Sequence, residues 1–128
     1  MIINVTRIFV DVDSGNEMKE DRETGEKSDQ GSLLVETIPF TLRTTCIRSL
    51  ILPFKSDESE QPEKKQDRYE LALKIRNSDH PDLSKEEIKL LKERIAKAWP
   101  GAGVSGQAAS FFDEDVAASI MKKKAEKK

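Results

Sequence analysis

The chain is poor in the residues that carry most site chemistry: 128 residues include one Cys, one His, one Trp and one Tyr. A single Cys excludes an internal disulfide, and one Cys with one His cannot supply the usual ligands of a structural zinc site. No apolar run approaches the roughly 18 residues of a membrane span, and the first residues lack the basic flank and long apolar stretch of a secretory signal. A soluble protein of the cytoplasm is the expectation, with no cofactor. Net charge is scarce as well. The 22 Lys and Arg against 24 Asp and Glu leave −2, so no general affinity for polyanions follows.

Charge itself is abundant, at 36% of the chain against roughly 25% in an average domain. Leu, Ile, Val and Phe together make up roughly 24%, above the level of about 20% below which chains stay disordered. Their distribution is uneven. Residues 13–32, 55–67 and 122–128 hold only Met18 and Ala125 among the hydrophobics. Such polar tracts cannot offset about 1–2 kcal/mol of backbone entropy per ordered residue, so 13–32 and 55–67 are expected to be flexible. Residues 1–121 then form one small domain and 122–128 a basic tail.

Within the body, Ile2–Val12 reads as a strand with Ile8, Val10 and Val12 on one face and Phe9 and Asp11 on the other. Leu33–Phe40 is a second, and antiparallel pairing across the 13–32 excursion is the simplest topology. Thr41 is a plausible N-cap for a helix from Leu42 to Leu52, which Pro53 stops. A helix from Lys64 or Lys65 to Arg76 follows, burying Leu71, Ala72 and Ile75. Ser84 with Glu87 forms a capping box, and Leu83 with Ile88 a hydrophobic staple, so 85–98 is helical with Ile88, Leu91, Ile95 and Trp99 on one face. Val104–Phe112 adds a short helix, and 114–124 can continue as another. The fold class expected is α+β: a two-stranded antiparallel ribbon packed on three or four short helices, with Trp99 and Phe112 in the core.

Each candidate for chemistry meets a plainer explanation. His80 lies beside Pro81 in a polar turn with no nucleophile motif near it, and Cys46 shares the apolar face of Leu42 and Leu50. The string DVDSGNEMKE at 11–20 opens with the acid spacing of a calcium loop, but its glycine and its closing Glu fall out of register. Gly101, Gly103 and Gly106 follow a helix rather than a strand, with no Lys-Ser or Lys-Thr pair behind them, so helix termination accounts for them better than a phosphate cradle. The helices 85–98 and 104–112 suggest a helix-turn-helix. The second offers Gln107 and two serines to bases but no Arg, Lys or Asn.

Two charged segments remain unspent on a core. Residues 13–32 carry Asp13, Glu17, Glu20, Asp21, Glu23, Glu26 and Asp29 against Lys19, Arg22 and Lys27, a local −4; residues 122–128 carry five lysines against Glu126, a local +4. The partner-binding residues expected are Met18, Lys19, Asp21 and Arg22 in the loop and Lys122, Lys123 and Lys124 in the tail. A protein partner or self-association suits this dipolar layout, while the tail alone offers contact with nucleic acid. No membrane and no small-molecule substrate is expected.

From Arg68 to Asp113 an Arg-Tyr-x-Leu-Ala-x-Lys-Ile helix precedes a capped Glu-Glu-Ile helix and a Gly-Gln turn into an apolar helix. This order of features resembles small uncharacterised accessory and morphogenetic proteins of tailed bacteriophages and prophages. The resemblance implies a phage accessory, morphogenetic or host-directed role, in the host cytoplasm or the virion, with no catalytic residues. The sequence discloses no specific reaction. A non-enzymatic protein-binding or assembly protein is therefore expected, with a nucleic-acid-associated regulator using the lysine tail as the alternative.

Overall fold

The N-terminal segment lies between two other parts of the chain in a computed structural model, which describes residues 1–27, 29–31, 33–54 and 57–126, with 22–25, 33–35 and 122–126 described by backbone alone. On one side Ile3 and Val5 donate backbone hydrogen bonds to Pro81 and Asp79, while Leu83 donates to Met1. On the other, Phe9 donates to Phe40, Leu42 to Arg7 and Arg43 to Val5. Because the strap alternates between partners, it makes isolated bridges at Ile2, Ile8 and Val10 instead of a continuous ladder. Ile3, Val5 and Phe9 point inward and are fully buried, whereas Val10 and Val12 are exposed. The expected strand 2–12 is thus corrected: it is not the ribbon's first strand, and of the two faces of its second half the one that carries Phe9 turns to the core.

The two-stranded antiparallel sheet consists of β1 (Lys19–Lys27) and β2 (Leu33–Pro39). Its first strand comes from the tract expected to be a flexible loop. Lys19 pairs with Pro39, Asp21 with Thr37 and Arg22 with Glu36, and the register becomes irregular between Glu23 and Lys27. Little in KEDRETGEK favours a strand by itself. The pairing is selected across the chain by β2 and by cross-strand matches such as the hydrogen bond of 3.1 Å from the Thr37 hydroxyl to Asp21. The ribbon joins the helices at its base, where Arg48 meets Glu20 at 2.7 Å and Phe40 enters the core.

Four helices follow: α1 (Leu42–Ile51), α2 (Pro62–Arg76), α3 (Lys85–Ala98) and α4 (Ala102–Glu126). The fold is α+β, as the residue pattern predicts. Thr41 caps α1, whose Leu42, Cys46 and Leu50 are buried. The α2 helix starts at Pro62, earlier than expected, with proline in the first turn, where its missing N–H costs nothing. In α3 the capping box is complete: Ser84 Oγ accepts from the Glu87 amide at 3.1 Å and Glu87 Oε1 accepts from the Ser84 amide at 2.9 Å. Replacing Ser84 by Ala should therefore cost about 1 kcal/mol, measurable as a lowered urea midpoint with an unchanged slope.

The short helix 104–112 and the stretch 114–124 prove to be one helix, α4. Asp113, Glu114 and Asp115 read locally as a break, but each acid meets a cation. Lys92 reaches Asp113 at 2.6 Å, and Arg7 reaches Asp115 at 2.7 Å and Glu114 at 3.3 Å. Asp115 also accepts from the Asn4 amide at 2.9 Å. The core unites all these elements through Phe9, whose ring centroid lies 5.4 Å from those of Phe40 and Phe111; Phe40 in turn lies 6.1 Å from Trp99. Phe112 is fully buried, and Trp99 packs half-buried against the cluster.

Candidate functional site

The expected partner-binding residues separate into three groups. Met18 is half-buried against the core, and its backbone both donates to Phe9 and accepts from Phe40. It is therefore spent on folding, contrary to expectation, because it is the hinge at which the strap and the ribbon base meet. Lys19 and Asp21 are exposed at the start of β1. Arg22 lies on the same strand with its side chain outside the described residues. Lys122, Lys123 and Lys124 extend α4 along its backbone, but their side chains, with all of Lys127 and Lys128, also lie outside the described residues. Loop and tail are not brought together into one described site.

The buried polar centre lies elsewhere, at residues that sequence reasoning passed over. Arg94 is 4% exposed. Its Nε donates to the Ser49 carbonyl at 2.5 Å, and one Nη to the Leu52 carbonyl at 3.0 Å. Both Nη atoms reach the Asp57 carboxylate at 3.1 Å, while the Phe54 ring lies 4.5 Å from the guanidinium carbon. Beside it, buried Arg68 binds both Glu60 oxygens at 2.7 and 2.9 Å. Asp57 is 3.9 Å from Arg68, so the two arginines and two acids form one network. Hydrogen bonding from Arg94 holds the Asp57 carboxyl well below the usual carboxylate range, against the opposing effect of burial.

This network staples the described part of the linker between α1 and α2 onto α3. The stretch 55–67 was expected to be flexible. Residues 55 and 56 lie outside the described residues, but 57 and 60 are anchored by ions. A signal was present: Arg94 follows Leu91 by three residues and so falls on the apolar face of α3. The Arg94 guanidinium is occupied by acids and carbonyls of the same chain, while Arg68 spends one Nη on Glu60 and its buried Nε has no hydrogen-bond partner.

The remaining candidates fall to local roles. His80 is exposed in its turn. Cys46 is fully buried among the core side chains, and burial pushes its thiol up. Gly103 and Gly106 lie inside α4 and Gly101 just before it. Gln107, which a helix-turn-helix would turn to bases, instead clamps the strap: its Oε1 accepts from the Val10 amide at 2.9 Å and its Nε2 donates to the Val10 carbonyl at 2.6 Å. Among the described residues, no group of three or more His, Cys, Asp or Glu could hold a metal ion, and no helix is long and apolar enough to cross a membrane.

What remains available is surface. Val12 is 74% exposed, with Ile51, Tyr69 and Met121 also projecting. Comparison with protein-family models, with curated proteins and with solved structures finds no match for the chain.

Proposed function

We propose that this chain is a non-enzymatic protein-binding or assembly factor, of the accessory or morphogenetic kind that its bacteriophage-like helix order suggests. The observation that carries the reading is the ribbon. Lys19, Asp21, Thr37 and Pro39 are exposed along it, and among the described residues each strand of the two-stranded sheet has one edge with no neighbouring strand. Two strands alone are marginal in water, so a ribbon extended beyond its anchored base suits a surface completed by another protein. Its charges and Pro39 guard the edges against indiscriminate strand pairing. Specific recognition by acidic side chains stays open to it.

The test is capture from the native host by the intact chain and by a variant in which residues 20–38 are replaced with a short glycine-containing turn. Partner capture should fall at least tenfold in the shortened chain while cooperative unfolding persists. Undiminished capture by that variant would overturn the reading. A nucleic-acid partner for the lysine tail would show itself differently: removing residues 122–128 would flatten the dependence of log affinity on log salt.

A further inference from the structure

A shallow groove of about 310 Å³ lies between α3 and α4, lined by Met1, Lys85, Ile88, Lys89, Lys92 and Val116. Its base is apolar and its rim is a basic stripe, since 85, 89 and 92 fall on one helix face. Lys92 is engaged by Asp113. Lys85 and Lys89 are exposed.

The complementary surface is on the same chain. The turn 10–17 reads VDVDSGNE, with Val10 37% and Val12 74% exposed and Asp11, Asp13 and Glu17 also exposed. It contains three acids and no base. The turn is a rigid object: Asp11 Oδ1 accepts from the Asp13 and Ser14 amides, Asp11 and Asn16 pair through the backbone, and Gly15 supplies the positive φ of 74° that closes it. Val12 is thus held largely in water between two aspartates.

Within one molecule the two surfaces cannot meet. The turn adjoins Gly103, Val104 and Gln107 at the start of α4, and the groove includes Val116 on the same helix. Nine residues of helix separate Gln107 from Val116, about 14 Å along the axis.

We propose that the acidic, valine-bearing turn 10–17 of one copy seats in the lysine-edged α3–α4 groove of a second copy. Val12 meets Ile88 and Val116, while Asp13 and Glu17 meet Lys85 and Lys89. The contact joins two different patches, so it is head-to-tail and builds rings or open chains instead of a closed two-fold dimer. A groove of this size gives weak association that depends on concentration and salt. The proposal rests on the reading of the chain as a docking protein, but it can fail separately from it.

The experiment is sedimentation equilibrium of the full chain across a concentration series at low and high salt. Average mass should rise with concentration at low salt and return to that of the monomer at high salt. A Lys85→Glu/Lys89→Glu variant and an Asp13→Lys/Glu17→Lys variant should each be monomeric with unchanged helical circular dichroism. Mixing the two should restore association at low salt, because the native turn of one variant meets the native groove of the other and the reversed turn meets the reversed groove. A Val12→Ser variant should weaken association at least tenfold with all charges intact. Monomers at every concentration, or association that persists in both charge-reversed variants, would overturn the proposal. Ribbon-dependent capture of a host protein would survive that result. Retention of an oligonucleotide by the groove lysines, in a chain that stays monomeric, would assign the groove to nucleic acid and likewise overturn it.

Discussion

Arg94→Ala is expected to cost about 3–5 kcal/mol, the loss typical of stripping one partner from a buried ion pair, out of a total stability of about 5–15 kcal/mol for a domain of this kind. The residue is 4% exposed and holds two carbonyls and one carboxylate. Alanine removes every donor and leaves the half-buried Asp57 without its main counter-charge. Urea unfolding followed by circular dichroism measures the loss. In the background of Arg94→Ala, a further Asp57→Ala should cost markedly less than it does alone, because the two side chains act as one unit. Additive losses would show that Arg94 acts mainly through Ser49, Leu52 and Phe54.

The same pair gives the protein an acid limit. In the unfolded chain Asp57 titrates near pH 3.9, whereas Arg94 holds the folded carboxyl well below that. The unfolded state therefore takes up the proton first. The stabilisation is complete above about pH 5 and is lost progressively as the pH falls toward 2. Asp57→Asn should be less stable than the parent at pH 7 and should show a shallower decline over that range.

The centre escaped the residue pattern because its members were sorted by local rules. Asp57 and Glu60 stand in a tract of charge that offers no core material, and Arg94 was assigned to neither face of α3. What unites them is tertiary: a guanidinium on the apolar face of one helix can cross the core boundary only if a linker brings it carboxylates. Helix boundaries, by contrast, were legible wherever the signal was chemical and local. Thr41, Pro53, and Ser84 with Glu87 mark ends that the fold respects. The ribbon's first strand was not legible, since 19–27 owes its conformation to β2 and not to its own composition. For the surfaces, the opposite charges of the 13–32 tract and the C-terminus were visible, but the lysine-edged groove was not, because it depends on how α4 lies along α3.

The N-terminal strap offers the second large effect, and it tests the face assignment directly. Alternation alone put Ile8, Val10 and Val12 on one face and Phe9 and Asp11 on the other without choosing between them; with the first face inward, Val12→Ala would be the costly substitution and Phe9→Ala the mild one. The fold turns the other face inward. Phe9 is fully buried between Phe40 and Phe111, and truncating it leaves a cavity where the strap, the ribbon base and α4 converge. The expected cost of Phe9→Ala is about 3–5 kcal/mol, whereas Val12→Ala should stay within about 0.5 kcal/mol. Urea midpoints of the two variants decide between the faces, since the opposite registers predict opposite orders. The choice of face has a physical origin. In a strap one or two residues wide at each contact, no sheet neighbour enforces a face. Phe9 goes inward because its ring finds aromatic partners in Phe40 and Phe111.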